Sequence, residues 1–403
     1  MKEAAIHKTQ SRKQISILFL TLVVIMLGYG MVIPIMPFYI EWLGASGTEL
    51  GLLMASYSLL QLIFAPIWGS LSDRIGRKPV LMLGLVGDTI AMLLFGFSNQ
   101  LWMLFAARSL TGLLSSATLP TAMAYVSDST TEEERGRGMG NLGAAMGLGV
   151  ILGPGVGGWL AGGSLSTPFF FAAGLSFITL TLVLLLVPES LPPDLRKMDK
   201  RAKRLSLDLK GLRSALLSPI GILLFMMFLL SFGLTNFEAI FGLYALDKFG
   251  YGPQQVGTIL MVIAVVSTVG KAALTGPATK RFGEPAVIKT SLIASSVAFG
   301  VLLLADTYLT ILLATAFFIF AKTLLRPAVL SLTSKKAEVG QGTAMGLSNS
   351  FMSLGRIVGP IWAGLVYDVN INYPYLSGVF IMFLGFIASL LWVRNGKKEI
   401  KFP

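Results

Sequence analysis

The residues of this chain that could do chemistry are charged side chains set inside long apolar runs. Two are acidic: Glu238, with Asn236 two positions before it, and Asp88. Five are basic: Arg108, Lys271, Lys322, Arg326 and Arg356. A charge in hydrocarbon is costly unless it faces a cavity or a partner, so each is a functional candidate by default. A carboxylate placed there can take up and release a proton, which coupling to a proton gradient requires. Glu238 is preferred for that task over Asp88. Other chemistries lack their residues. There are no cysteines for a disulfide or thiolate metal site, and the one histidine, His7, stands in a polar N-terminal stretch. No Gly-x4-Gly-Lys-Ser/Thr loop occurs to hold a nucleotide. No metal and no cofactor is expected, and an ion gradient is the expected energy source.

The elements that must position these groups are membrane helices. Of 403 residues, 54% are hydrophobic and 13% charged, and the mean hydropathy is +0.75. A water-soluble core has no use for so much apolar surface. Runs long enough to cross hydrocarbon are read at 15–40, 48–70, 79–98, 101–126, 137–162, 167–187, 218–246, 254–276, 285–304, 307–333, 342–367 and 374–394. The first run lacks the cleavage signature of a secretory signal and is expected to be retained. The predicted fold is all-α and integral to the membrane, with twelve helices as two pseudo-symmetric six-helix bundles. Their expected bounds are 1–187 and 218–403, joined by a basic linker over 188–217.

Two motifs occur twice. Gly69-Ser-Leu-Ser-Asp73-Arg74-Ile-Gly76-Arg77-Lys78-Pro79 returns as Gly276-Pro-Ala-Thr-Lys280-Arg281-Phe-Gly283-Glu284-Pro285, an offset of 207 residues (69 to 276). Gly136–Gly140 leading to Gly153-Pro154 returns as Gly342–Gly346 leading to Gly359-Pro360. Two membrane halves related by a parallel repeat point to a transporter with its substrate site near the bilayer midplane.

The net charge of +12 invites a nucleic-acid reading, but its placement argues for membrane insertion. With the N-terminus inside, only Lys248 falls in an external loop and five basic residues fall within runs away from their cytoplasmic margins. The rest lie in or beside cytoplasmic segments. Both termini are therefore expected to be cytoplasmic, and no nucleic-acid partner is expected. The linker, with Arg196, Lys197, Lys200, Arg201, Lys203 and Arg204, is expected to lie on anionic lipid headgroups.

The segment Gly69–Pro79 resembles the cytoplasmic signature of the major facilitator superfamily. Arg108-Ser-Leu-Thr-Gly112 resembles its membrane-embedded arginine motif, and Gly147–Gly158 the span-five motif of its antiporters. Gly28–Pro37, Thr235–Tyr244 and Leu325–Ala328 resemble twelve-span drug:proton exporters of Gram-positive bacteria, in particular multidrug and quinolone exporters. The resemblance covers essentially the whole chain. It implies a gating role for Asp73, Arg74, Gly69, Gly76 and Arg77, as a charge cluster that latches and releases the two halves. Lys280 stands where Asp73 does in the first copy, so a latch in the second half must be asymmetric.

The resemblance also implies that Arg108 tunes proton transfer; bonding to exposed backbone carbonyls is the alternative. Asp128 is either part of a cytoplasmic proton path or a charge at a helix end. Asp88 is either a coupling carboxylate or a structural partner on a peripheral span. Gly153, Pro154, Gly157 and Gly158 serve close packing and bending.

Substrate contact is expected from Tyr29, Met31, Phe38, Tyr57, Asn236, Glu238, Phe241, Tyr244, Lys322, Arg326, Phe351 and Arg356. Lys271 and Arg326 can alternatively snorkel to headgroups. The related exporters carry an acidic residue close to position 322, where this chain has Ala321 and Thr323. Buried cations without acids imply zwitterionic or anionic amphiphiles, such as quinolone-like or tetracycline-like molecules. The expected function is export of small amphiphilic compounds in exchange for protons, by a monomer in the bacterial plasma membrane. A lipid or glycolipid flippase and a proton-coupled metabolite transporter are the rivals on the same fold. Partners are the substrates, protons and membrane lipids.

Overall fold

The computed structural model describes residues 2–196, 218, 220–337 and 340–393. Among these residues it is helical, with no strand. The first helices are α1 (Lys2–Trp42), α2 (Gly47–Ile75) and α3 (Arg77–Gly96). They are followed by α4 (Leu101–Leu114), α5 (Thr118–Ser129), α6 (Glu132–Ala161) and α7 (Thr167–Leu186). Then come α8 (Gly221–Phe249), α9 (Pro253–Phe282), α10 (Glu284–Leu303) and α11 (Tyr308–Thr323). The last are α12 (Leu325–Lys336), α13 (Gln341–Tyr367) and α14 (Tyr373–Trp392). The expected linker is described as far as Arg196; Lys197, Lys200, Arg201, Lys203 and Arg204 lie outside the described residues, as does the side chain of His7.

Ten helical stretches among the described residues are long and apolar enough to cross a membrane, with α11 and α12 counting as one. Two further passes complete the twelve, and each misses that standard for a physical reason. The fourth is interrupted between α4 and α5 by a 3-10 turn at Ser115–Ala117. The eleventh, α13, is continuous but carries Gln, Asn, Ser and Gly where the others carry Leu and Ile.

Local chemistry sets the helix starts. Ser46 caps α2: its hydroxyl accepts from Glu49 N at 3.2 Å, while Ser46 N donates to Glu49 Oε2 at 2.7 Å. Thr307 and Thr310 form the same reciprocal box on α11. Gly76 and Gly283 are each the only residue between two helices, at φ +109° and +77°. Residues with a side chain rarely adopt that conformation, so the repeated loop is built around a glycine in both copies.

The described residues fall into two compact units. One lies within Met1–Ser206 together with Phe241–Met261, the other within Leu207–Ile240 together with Val262–Pro403. Each unit carries the same glycine-lined helix pair. In the first, a Cβ on Gly153 would lie 2.7 Å from Gly30 Cα and from Leu27 O, and one on Gly149 2.6 Å from Val23 O. In the second, a Cβ on Gly355 would meet Phe228 O and one on Gly359 would lie 2.8 Å from Phe232 O. Thus α6 touches α1, and α13 touches α8, backbone to backbone. Gly157 continues the first contact against Met31 Cα at 2.9 Å, and a Cβ on Gly158 would lie 3.0 Å from Gly257 Cα at the start of α9. Pro154 sits inside α6 without ending it.

Candidate functional site

At the α2–α3 turn, Arg77 is nearly buried and gathers the charges around it. Its Nε donates to Asp128 Oδ2 at 2.9 Å, and its Nη1 donates to Asp73 Oδ1 at 2.5 Å and to Ser72 Oγ at 2.7 Å. Asp128 stands at the end of α5, so it belongs to this cluster, with its charge spent on Arg77. Arg74 forms no ion pair among the described residues, and Gly69 faces open space.

A third carboxylate completes the cluster, and sequence reasoning passed over it. Glu189 accepts from Arg77 N at 2.7 Å, Lys78 N at 3.2 Å and Leu191 N at 3.0 Å. It thereby caps the first turn of α3, whose free N–H groups and positive dipole end favour an anion. The only signal was the run Pro188-Glu-Ser at the end of the sixth pass, 112 residues from its partner. Any Cβ at Gly76 would collide with this carboxylate. Tyr125 donates to Pro188 O at 2.9 Å and fixes the same segment.

The second half carries exchanged charges at the same positions, and two of the three are paired. Glu284 stands where Arg77 does, 207 positions on, and Lys335 stands where Asp128 does at the same offset. Lys335 forms an ion pair with Glu284, and Ser331 donates to the same Oε1 at 2.9 Å. Lys280 in place of Asp73 is the third exchanged charge. The asymmetry noted at Lys280 is therefore one position of a three-position inversion.

Inside the first unit, Arg108 is 2% exposed, and no carboxylate among the described residues reaches it. Its guanidinium carbon lies 4.7 Å from the Tyr57 ring centroid and 5.8 Å from that of Tyr29. Nη2 contacts Met54 Sδ at 3.4 Å, while Nε and Nη1 have no hydrogen-bond partner. Gly112, one turn on, explains the motif's spacing: a Cβ there would lie 2.7 Å from Tyr57 O. The glycine lets α4 close on α2, which brings Arg108 under the two rings.

Asp88 is buried and accepts from Ser115 Oγ at 3.1 Å and Ser176 Oγ at 2.6 Å. It joins α3, the 3-10 turn and α7, which is a structural partner's position. The break between α4 and α5 supplies one of its two donors.

In the second unit, Glu238 of α8 is half-buried and makes no hydrogen bond or ion pair among the described residues. Lys322, Arg356 and Lys271 lie within its electrostatic reach, and Arg326 lies within that of Lys271 and Arg356. Lys271 and Arg326 thus stand within electrostatic reach of this cluster while remaining exposed. Gly270 makes room for that approach: a Cβ there would already be 3.3 Å from Thr323 Cγ2 on α11. Lys322 holds its ammonium 5.8 Å from the Phe318 ring centroid, in the last turn of α11 before the break at Leu324.

Asn236 does not join Glu238. Two residues are about 200° apart on a helix, and Asn236 is buried and donates to Pro374 O at 2.9 Å. Among the aromatic candidates, Tyr29 and Tyr57 keep accessible surface, with their rings 5.4 Å apart and tilted by 40°. Phe38, Phe241, Tyr244 and Phe351 are buried in this conformation, as is Met31.

The sequence model of the Major Facilitator Superfamily matches residues 18–273 and 223–403. A Bacillus subtilis (strain 168) relative named Multidrug resistance protein 2 is 34% identical over 93% of this chain and 94% of its own length. Quinolone resistance protein NorA of Staphylococcus aureus (strain COL) is 29% identical over 96% of this chain and 98% of its own. Among solved structures, the nucleoside transporter NupG superposes with a TM-score of 0.79 at 15% identity, over 95% of this chain and all of that one. That likeness carries the fold alone.

Proposed function

The chain belongs to the Major Facilitator Superfamily, and from that premise we propose that it exports small amphiphilic drugs across the plasma membrane in exchange for protons. The observation that carries the coupling is Glu238. Of the two carboxylates deep in apolar helices, Asp88 is buried and tied to two serines, whereas Glu238 is half-buried and has no donor. An accessible carboxylate can gain and lose a proton as the cycle proceeds; one locked between hydroxyls serves packing.

Arg108 supports the same reading from the other unit. A guanidinium with two unpartnered nitrogens and two tyrosine faces can attract a negative charge or orient water without being neutralised. The clusters around Arg77 and Glu284 hold each unit's repeated loop in one geometry, as alternating access by rigid bundles requires. The protein works as a monomer with both termini in the cytoplasm.

The test is proton release from purified protein in weakly buffered detergent on adding a fluoroquinolone. Wild type releases protons on binding and Glu238→Gln binds without release. Equal release from both would remove Glu238 from the coupling step.

A further inference from the structure

We infer that Lys322, Arg356, Lys271 and Arg326 form, beside Glu238, a subsite for the anionic group of an amphiphilic substrate, a carboxylate. This rests on the drug-export reading and names the substrate chemistry of that same site. Five helices contribute one residue each: Glu238 from α8, Lys271 from α9, Arg356 from α13, and Lys322 and Arg326 from α11 and α12 on either side of their break. With one carboxylate among four cations, the cluster carries three uncompensated positive charges. None of the four cations forms a hydrogen bond or ion pair among the described residues.

Like charges brought together inside a membrane protein raise one another's energy. The cluster is therefore an acceptor for an anion and a poor host for a cation. Lys271 and Arg326 are exposed, and Lys322 and Arg356 keep some accessible surface. Depth separates a substrate from a lipid headgroup as the source of that anion. Glu238 stands eight and Arg356 eleven residues from the nearer end of its apolar run (238 to 246, 356 to 367). That is roughly 12–16 Å along the axis, inside the hydrocarbon. The Arg356 guanidinium can take a carboxylate with two parallel hydrogen bonds, and Lys322 adds a point charge.

The experiment uses full-length protein in detergent and three matched probes: a naphthylalkyl carboxylate, its neutral amide and its trimethylammonium counterpart. Calorimetric titration is expected to show the carboxylate bound at least about tenfold more tightly than the amide. Lys322→Gln and Arg356→Gln should each remove most of that preference while leaving the amide's affinity unchanged, and Lys322→Arg should keep it. The inference is overturned if carboxylate and amide bind equally to wild type, or if the preference survives both glutamine variants. It is also overturned if phosphatidylglycerol abolishes the preference where phosphatidylcholine does not, since the anion would then be a headgroup phosphate. Binding of the amide and the cation without any carboxylate advantage would leave drug export standing and this inference refuted. If none of the three binds, both readings fall.

Discussion

The exchanged charges of the repeated loop make a demanding prediction. In the first unit Arg77 → Glu removes attractions to Asp128 at 2.9 Å and Asp73 at 2.5 Å and sets three carboxylates together. A unit-charge pair at close range is worth about 1 kcal/mol in water and about 4 at the effective dielectric near a protein surface. Asp73 is 38% exposed and belongs near the lower figure, while Asp128 at 26% lies between the two. The single change should therefore destabilise the protein by roughly 3–5 kcal/mol, the range for breaking a largely buried pair.

The second unit carries the exchanged residues, with Glu284 paired to Lys335. Combining Asp73→Lys, Arg77→Glu and Asp128→Lys copies Lys280, Glu284 and Lys335, and should recover stability to within about 1–2 kcal/mol of wild type. Adding Glu189→Gln removes the one acid the inversion leaves beside the new carboxylate. Thermal unfolding of the purified protein in detergent reads this directly, with drug efflux from cells as the functional companion. A triple variant no more stable than Arg77→Glu alone would refute the reasoning, because the two clusters would then not be charge-exchanged copies of one clamp.

Other outcomes follow from the same contacts. Glu189→Ala strips the cap from α3 and should cost about 1–2 kcal/mol, seen as a lower unfolding temperature with the amide-donor partners of Glu189 intact. Gly112→Leu cannot fit against Tyr57 O; overpacking of about 1–3 kcal/mol or more should come with loss of efflux, because Arg108 moves with α4. Asp88→Ala leaves Ser115 and Ser176 without their acceptor, at about 1–3 kcal/mol per hydroxyl. Efflux by the folded fraction should keep its dependence on the proton gradient, as measured in everted vesicles.

Much of this was legible in the residues, and the rest was hidden for identifiable reasons. Hydropathy located the passes because backbone in hydrocarbon must satisfy itself as helix, including α13, whose Gly and Ser positions lower its apolarity. The glycines of α6 announced a close contact, and the matching pair Gly355 and Gly359 lay at the same offset as Gly149 and Gly153. The inverted clamp was also within reach, since the offset that exposed Lys280 leads equally to Glu284 and Lys335. Glu189 was not, because helix caps are local in space while this one joins segments 112 residues apart. Asn236 turns away from Glu238 because two positions along a helix point to different faces. The placement of Lys271 depended on Gly270, whose consequence appears only once α9 lies on α11.

The central claim, export coupled to protons through Glu238, is tested most directly in proteoliposomes with an imposed pH gradient. With the lumen acid, wild-type protein should accumulate a fluorescent quinolone against its concentration gradient and lose it when nigericin collapses the pH difference. Glu238→Gln should bind the drug and equilibrate it without accumulation. Accumulation that ignores the gradient, or that is unchanged in Glu238→Gln, would contradict the account.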